Sequence, residues 1–546
     1  MFTLDAYAAR SCPLKTAHAV RPGGARRPSG QSGGMPGSAE FFDEAYATIL
    51  GGAASVIDLR GLDHAPSEQQ EAACLEAMRA GTEVIVGGLL PRDWENHRRG
   101  RADLLIRDPE GGYLPGLVKY QRALDARRDD REFVFSAATQ LAQPLSITGW
   151  RYRWHWRWSN ALQLAHLWEL LELTGLRAGA ARGVIVGTER LPGHQLVGAW
   201  LDLDEPTLAP MPPSGDPNVL VSTLERYHQE FDERVRIALT VQADDGGETA
   251  LAPVVTAECS YCDWWDTCRP LLDDDDLSLR INKSPLDRHE ITGLRSAGVH
   301  TVTQLAAADL EALLPSYLPL VAHRQGAEER LRLAQRRSRL LTEGVELDRL
   351  TSGPIEIPGA ALEIDIDVET SRTDRVYLWG FWIDDEDGGH YRHFSSFCDL
   401  DEAQELALAV EAMTWLRTMV EQTDALVYHY SDYEVTRLNR LATSGEPALV
   451  WAADYAAAGF VDLFDLVRRN FFGTNGLGLK AVASAGAGFH WRDDDPGGLN
   501  SMTWFDTAVH DERADKRELA RRRVLCYNED DVRATAQLRA WLRSLN

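Results

Sequence analysis

Residues 361–370 read ALEIDIDVET, and few stretches of ten residues leave a chain less freedom. Apolar and acidic side chains alternate, which is the period of a β-strand. Ile364, Ile366 and Val368 then face one way and demand a covering layer. Asp365, Asp367 and Glu369 face the other way. Three carboxylates stacked on an apolar strand repel one another, and their removal from water is costly unless cations bind. The acidic side is either the solvated face of an edge strand or the wall of a cation site. The apolar flank favours the cation site.

Two later segments carry matching chemistry. ALVYHYSDYEVTRLNRL ends an apolar strand at Tyr428–Tyr430, and Asp432 opens the helix that follows. A carboxylate there sits at the C-terminal edge of a strand, where α/β sheets place their sites. Taken alone it also reads as an N-cap. In VLCYNEDDVRATAQLRAWL, Asp531 follows Tyr527 by four residues, so both side chains share one helix face. The macrodipole accounts for Glu529 and Asp530 in a first helical turn, but not for the tyrosine.

Together these segments resemble the DEDD exonucleases of the RNase H-like fold, the DnaQ-like family with a tyrosine in its last motif. Asp367 and Glu369 match its D-x-E motif, Asp432 its second-motif aspartate, and Tyr527 with Asp531 its Y-x3-D. The register of the first motif is open, because Asp365-x-Asp367 fits as well. FVDLFDLVRR with Asp462 and LGLKAVA with Lys480 also resemble segments of the bacterial branch fused or linked to RecB-like nucleases. The resemblance covers residues 355–546. It implies an RNase H-like α/β domain with 3′–5′ exonuclease activity. It also implies that Asp367, Glu369, Asp432 and Asp531, with Asp365 as a further candidate, hold two Mg2+ or Mn2+ ions about 4 Å apart. Tyr527 would orient the attacking water. DNA and RNA substrates both remain open.

A second constraint lies in ECSYCDWWDTCRP, where Cys259, Cys262 and Cys268 form a C-x2-C-x5-C cluster in a chain with 7 cysteines. Thiolates so spaced can converge on one soft metal centre. The cluster needs a fourth ligand, for which Cys12 in AYAARSCPLK is the candidate. Four thiolates suit zinc as well as an iron–sulfur cluster. Cys74, Cys398 and Cys526 fit helix or strand faces and read as core residues.

One cysteine before a nuclease core and a trio after it is the arrangement of RecB-like nucleases with an iron–sulfur cluster, including the AddB subunit and the CRISPR-associated adaptation nucleases. Cys12, Cys259, Cys262 and Cys268 match that pattern, and the resemblance covers residues 1–275. It implies a restriction-endonuclease-type α/β core stapled at its ends by a 4Fe-4S cluster. The family's PD-(D/E)xK motif is incomplete here. Asp103 in GRADLLI matches the aspartate and Lys119 in GLVKYQ the lysine, but Leu117 stands where an acidic ligand is required. Gln163 matches the start of the family's Q-x3-Y, with Leu167 in the tyrosine's place. Asp103, Lys119 and Gln163 therefore read as a catalytic remnant, with Lys119 free to contact a phosphate.

The remaining sequence sets the frame. A chain of 546 residues holds two to four domains. A net charge of −26 argues against coating nucleic acid through overall charge. A metal-dependent nuclease, however, must carry clustered carboxylates and can confine its basic surface to one channel. Arg98, Arg99 and Arg101 in HRRGR, and RADKRELARRR near the C-terminus, read as solvated surface. RYRWHWRW (151–158) alternates like a strand, with Arg151, Arg153, His155 and Arg157 outward and its aromatics in the core. Residues 21–38, rich in Gly, Pro and Ser, read as a mobile loop. LRSAGVHTVTQLA resembles half of a helix-hairpin-helix, which can seat a DNA phosphate on backbone N–H groups. A plain helical linker is the favoured reading.

No apolar run approaches the roughly 20 residues that span a bilayer. The start lacks a basic region followed by an apolar one. The expectation is a cytoplasmic protein with reduced thiols and no membrane contact. The whole reads as multidomain α/β: a RecB-like domain over 1–275, a small helix-hairpin-helix-like linker over 276–350, and an RNase H-like domain over 355–546. The expected function is a nuclease of DNA metabolism and repair, acting on single-stranded or end-containing DNA that the N-terminal domain grips. A dual nuclease, and a non-catalytic scaffold partnering a helicase, are the alternatives.

Overall fold

The computed structural model describes residues 1–545 except 22–37, 192, 195, 212–218, 244–250, 323, 385–387 and 495–496. The stretch read as a mobile loop, 21–38, lies outside the described residues but for its two ends. The chain divides into two compact units. One comprises residues 1–280 and 285–334, the other residues 281–284 and 335–546. Among the described residues, no helix is long and apolar enough to cross a membrane.

The first unit is built on β1 (Val56–Asp58), β2 (Val84–Asp93), β3 (Arg98–Arg107), β4 (Tyr113–Val118) and β5 (Leu124–Ala126). It continues with β6 (Phe133–Ala137), β7 (Leu145–Ile147), β8 (Trp150–Tyr152), β9 (Arg182–Val186) and β10 (Val197–Asp202). Eight of these form one sheet in the order β1-β2-β3-β4-β9-β10-β6-β7, and β5 pairs with β8 apart from it. The EGG signal makes the expected hairpin, since β3 and β4 are antiparallel and Gly111 and Gly112 take positive φ values of 110° and 81°. Glycine tolerates that region without steric cost. The helix Trp154–Leu171 closes the core, with Leu164, Leu167, Leu170 and Leu171 fully buried.

Two sequence expectations are corrected in this unit, and the amides of the helix-hairpin-helix-like turn are already hydrogen-bonded. RYRWHWRW is not a strand: β8 stops at Tyr152, and the helix begins at Trp154. The aromatic–arginine alternation imitated a period of two. The helical run of apolar residues from 158 to 171 decided the conformation instead. Arg98 is buried, and its Nε donates to the Tyr227 hydroxyl at 3.1 Å, so HRRGR is not wholly surface. The helix-hairpin-helix turn offers no phosphate seat. Its amides at 302 and 303 donate to the Asp275 carbonyl and carboxylate at 2.8 and 2.9 Å. Those at 300 and 301 donate to Gln304, and the amide of Gln304 to the Thr301 hydroxyl. Donors already satisfied within the turn have nothing left for an anion.

The second unit holds β11 (Leu347–Arg349), β12 (Leu362–Thr370), β13 (Val376–Asp384), β14 (His390–Ser395), β15 (Ala425–His429), β16 (Phe460–Asp462) and β17 (Phe471–Gly473). Five strands form a sheet in the order β14-β13-β12-β15-β16. β12 lies at its centre, antiparallel to β13 and parallel to β15. Ile364, Ile366 and Val368 pack with Leu408, Met413, Leu438 and Leu449 from helices on one face. The acidic side of β12 meets the 31-residue helix Ala514–Ser544 on the other. The ALEIDIDVET strand is therefore covered on both sides, so its carboxylates cannot be a solvated edge. β11 pairs with β17 as a separate ribbon.

Candidate active site

The three acidic side chains of β12 meet different partners along the C-terminal helix. Asp365 is fully buried and accepts from Arg539 Nη2 at 2.8 Å. Arg539 lies eight residues, about two helical turns, beyond Asp531. The ion pair occupies Asp365, and it is Asp367 and Glu369 that line the cleft. Asp367, Glu369 and Asp531 converge: each offers an oxygen within 4.8 Å of the others. They line a cleft of about 260 Å³.

Asp432 does not join them. It is the exposed N-cap of the helix Tyr433–Ala442 and makes no capping bond through its side chain. The carboxylate that reaches the cleft is Glu434, 4% exposed, on the helix face it shares with buried Leu438 and Leu441. That spacing of four and three residues is the stripe a helix buries, and it is the signal by which the sequence marks Glu434 over Asp432. Asp462 builds the turn that presents it. Its Oδ1 accepts from the amides of Ser431 and Phe464 at 3.0 and 2.8 Å, which holds Ser431 at φ 79°.

Each of the three converging carboxylates is held by a neutral donor from a distant segment. Asn528 Nδ2 donates to Asp367 Oδ2 at 2.6 Å, Ser501 Oγ to Glu369 Oε2 at 2.5 Å, and Trp491 Nε1 to Asp531 Oδ1 at 2.6 Å. Tyr391 donates its hydroxyl to Asn528 Oδ1 at 2.7 Å and so fixes the amide's orientation. Tyr527 is buried beside Asp531, and its hydroxyl accepts from Lys480 Nζ at 2.6 Å.

Burial and mutual repulsion raise the acids' pKa values. Burial, then Asp531 and Glu369, holds Asp367 well above the usual carboxylate range. Glu369 is pushed up to about 8, by burial first and by Asp531 second. Burial also raises Asp531 and Glu434. Glu434 Oε2 is buried with no hydrogen-bond partner, and His429 Nδ1 stands 3.7 Å away, beyond hydrogen-bond reach. That contact is an ion pair, and four carboxylates brought to one cleft, Asp367, Glu369, Asp531 and Glu434, fit a cation. All-carboxylate donors are hard and suit Mg2+ or Mn2+.

Residues 364–543 match a family model, RNase_H_2, described as RNase_H superfamily.

These residues are an RNase H-like domain.

No curated protein and no solved structure matches the chain. The carboxylate cluster belongs wholly to this RNase H-like domain, within the matched residues.

The first unit gathers the other candidates. Asp103 Oδ2 accepts from the amide of Val118 at 3.0 Å and lies 3.9 Å from Lys119 Nζ, which donates to Gln163 Oε1 at 3.1 Å. The three are brought together with a single carboxylate among them. Leu117 is buried in the sheet opposite Ile185, and Leu167 is fully buried. Cys12, Cys259, Cys262 and Cys268 line one hollow. The two ends are tied there: the amide of Cys12 donates to Glu258 Oε2 at 3.1 Å, and Lys15 pairs with Glu258 Oε1 at 2.5 Å. His18 Nε2 lies 3.6 Å from Cys268 Sγ and stacks on Trp264. Among the described residues, the carboxylate cluster is the only set of three or more potential ligands that all lie within 4.8 Å of one another. Cys74 is buried as expected. Cys526 is exposed on its helix rather than a core residue.

Proposed function

We propose that this protein is a metal-dependent nuclease of DNA metabolism, whose RNase H-like domain removes nucleotides from the 3′ end of single-stranded DNA. The observation that carries it is the convergence of Asp367, Glu369 and Asp531 in a cleft that Glu434 also lines. Glu434 takes the place in the ligand set that the DEDD resemblance gives to Asp432. Divalent ions, when bound, acidify a water and stabilise the leaving oxygen. The chain's own part is to hold the ligands. Asn528, Ser501 and Trp491 orient three carboxylates, and Tyr527 orients the attacking water from beside Asp531.

In the first unit, a four-iron cluster held by Cys12, Cys259, Cys262 and Cys268 is favoured over zinc. The preference rests on the resemblance of the Cys12 and Cys259, Cys262, Cys268 pattern to that of the RecB-like nucleases, since four thiolates suit zinc as well. The cluster would staple the unit as a DNA-binding module. Asp103 is the single carboxylate among Asp103, Lys119 and Gln163, and Leu117 is buried where the motif requires a second, which argues against cleavage by this unit.

The test is degradation of 5′-end-labelled oligonucleotides with Mn2+ or Mg2+. Asp531→Ala and Glu434→Gln are expected to lower the rate by 10³-fold or more, and Asp432→Asn to leave it within about threefold. Wild-type rates in Asp531→Ala protein would refute the site. Loss in Asp432→Asn with retention in Glu434→Gln would reverse the assignment of the fourth ligand.

A further inference from the structure

Lys480 stands on the helix Leu479–Ala485, and the metal-ligand set does not account for it. Its Nζ donates to the Tyr527 hydroxyl at 2.6 Å and lies 4.0 Å from Asp531 Oδ2. It sits over two rings, 4.6 Å from the centroid of Tyr527 and 5.8 Å from that of Trp491. A lysine there is held from three sides, by a hydroxyl, a carboxylate and the faces of two aromatic rings.

The hydrogen-bond polarity follows from the donor inventory. A lysine amine has donors and no acceptor in its charged form, so the Tyr527 oxygen must accept. A phenol has a single proton. With a lone pair filled by Lys480, that proton is left for an acceptor on the other side. Asp531 lines the same cleft as Tyr527, one helical turn further along, and a carboxylate oxygen accepts such a proton. The chain therefore runs in one direction, from Lys480 to Tyr527 to the carboxylate cluster. Without Lys480 the hydroxyl can rotate, and its proton has no fixed aim.

We propose that Lys480 is a positioning residue for hydrolysis, fixing the Tyr527 hydroxyl so that its one proton points into the carboxylate cluster where the attacking water is held. The proposal rests on the nuclease reading above. Its action runs through the Tyr527 hydroxyl, and the Tyr527→Phe background separates this from the neighbouring ion pair with Asp531.

Cleavage of an end-labelled single-stranded oligonucleotide with Mn2+ is measured for wild type, Lys480→Met, Lys480→Arg, Tyr527→Phe and the Lys480→Met/Tyr527→Phe double variant. Mn2+ affinity is followed separately by electron paramagnetic resonance. Lys480→Met is expected to lower kcat roughly 100-fold, with KM and Mn2+ affinity within about threefold. Lys480→Arg, which keeps a donor, is expected to recover at least about tenfold of that loss. In the Tyr527→Phe background, Lys480→Met should cost less than about threefold more, because coupled residues are not additive. Wild-type kcat in Lys480→Met, an undiminished loss in the Tyr527→Phe background, or lost Mn2+ affinity would each overturn the proposal while wild type still cleaves. Absence of cleavage by wild type would overturn the nuclease reading and this proposal together.

Discussion

Glu369 is the residue whose titration exposes the cost of the site. Its carboxyl is pushed up to about 8 in the folded chain, where an unfolded glutamate titrates near 4.3. A raised folded-state pKa means that the native state binds the proton more tightly. The stabilisation is complete below the unfolded value and is lost as pH climbs to about 8. Asp367, Asp531 and Glu434 shift in the same direction, so the loss belongs to the interacting carboxylates together. Metal-free protein is therefore expected to melt at progressively lower temperature between pH 5 and 8. Mn2+ should reverse this by replacing protons, so the metal-induced rise in Tm grows with pH. Thermal melts with and without chelator across that range check it, and a metal-induced rise independent of pH would contradict it. Single residues also mark how far the sequence could be read. Glu434 is legible, because it falls in the apolar stripe with Leu438 and Leu441. Choosing Asp367 over Asp365 is not, because both share a strand face and only Arg539 distinguishes them.

At the scale of elements, the site depends on a strand and a helix approaching unusually closely. Gly380 on β13 lies opposite Asp367, and a Cβ there would stand 1.7 Å from Asn528 Oδ1. The absent side chain makes room for the amide that holds Asp367. Gly380→Ala is expected to displace Asn528, lower stability by about 1–3 kcal/mol and weaken Mn2+ binding roughly 10- to 100-fold. Mn2+ titration alongside a denaturant melt measures both. Unchanged affinity would show that Asn528 does not position Asp367. Element type was legible where the apolar period was clean, as in β12. It failed at RYRWHWRW, where alternation held for eight residues but the longer helical run prevailed.

Across the whole molecule, the cysteines and the carboxylates occupy different compact units. The N-terminal segment reaches the trio through the Cys12 amide and the Lys15 ammonium, both on Glu258, which closes the first unit on itself. Protein purified without oxygen is expected to be brown, with broad visible absorption. Cys12→Ser should lose that colour while metal-dependent cleavage persists. Colourless wild-type protein carrying stoichiometric zinc would replace the iron–sulfur reading. Loss of cleavage in a folded Cys12→Ser protein would show that the two centres act together.

The sequence by itself determined the acidic face of β12, the Tyr527–Asp531 pair on one helix face and the spacing of the cysteine trio. Each is a local period, fixed by the geometry of one strand, helix or turn. Tertiary structure decided what those faces meet: Arg539 on Asp365, Glu434 in the cleft in place of Asp432, and Lys480, Trp491 and Ser501 around the acids. These contacts join segments many residues apart, and their side chains are chosen by packing across the sheet rather than by neighbours in the chain.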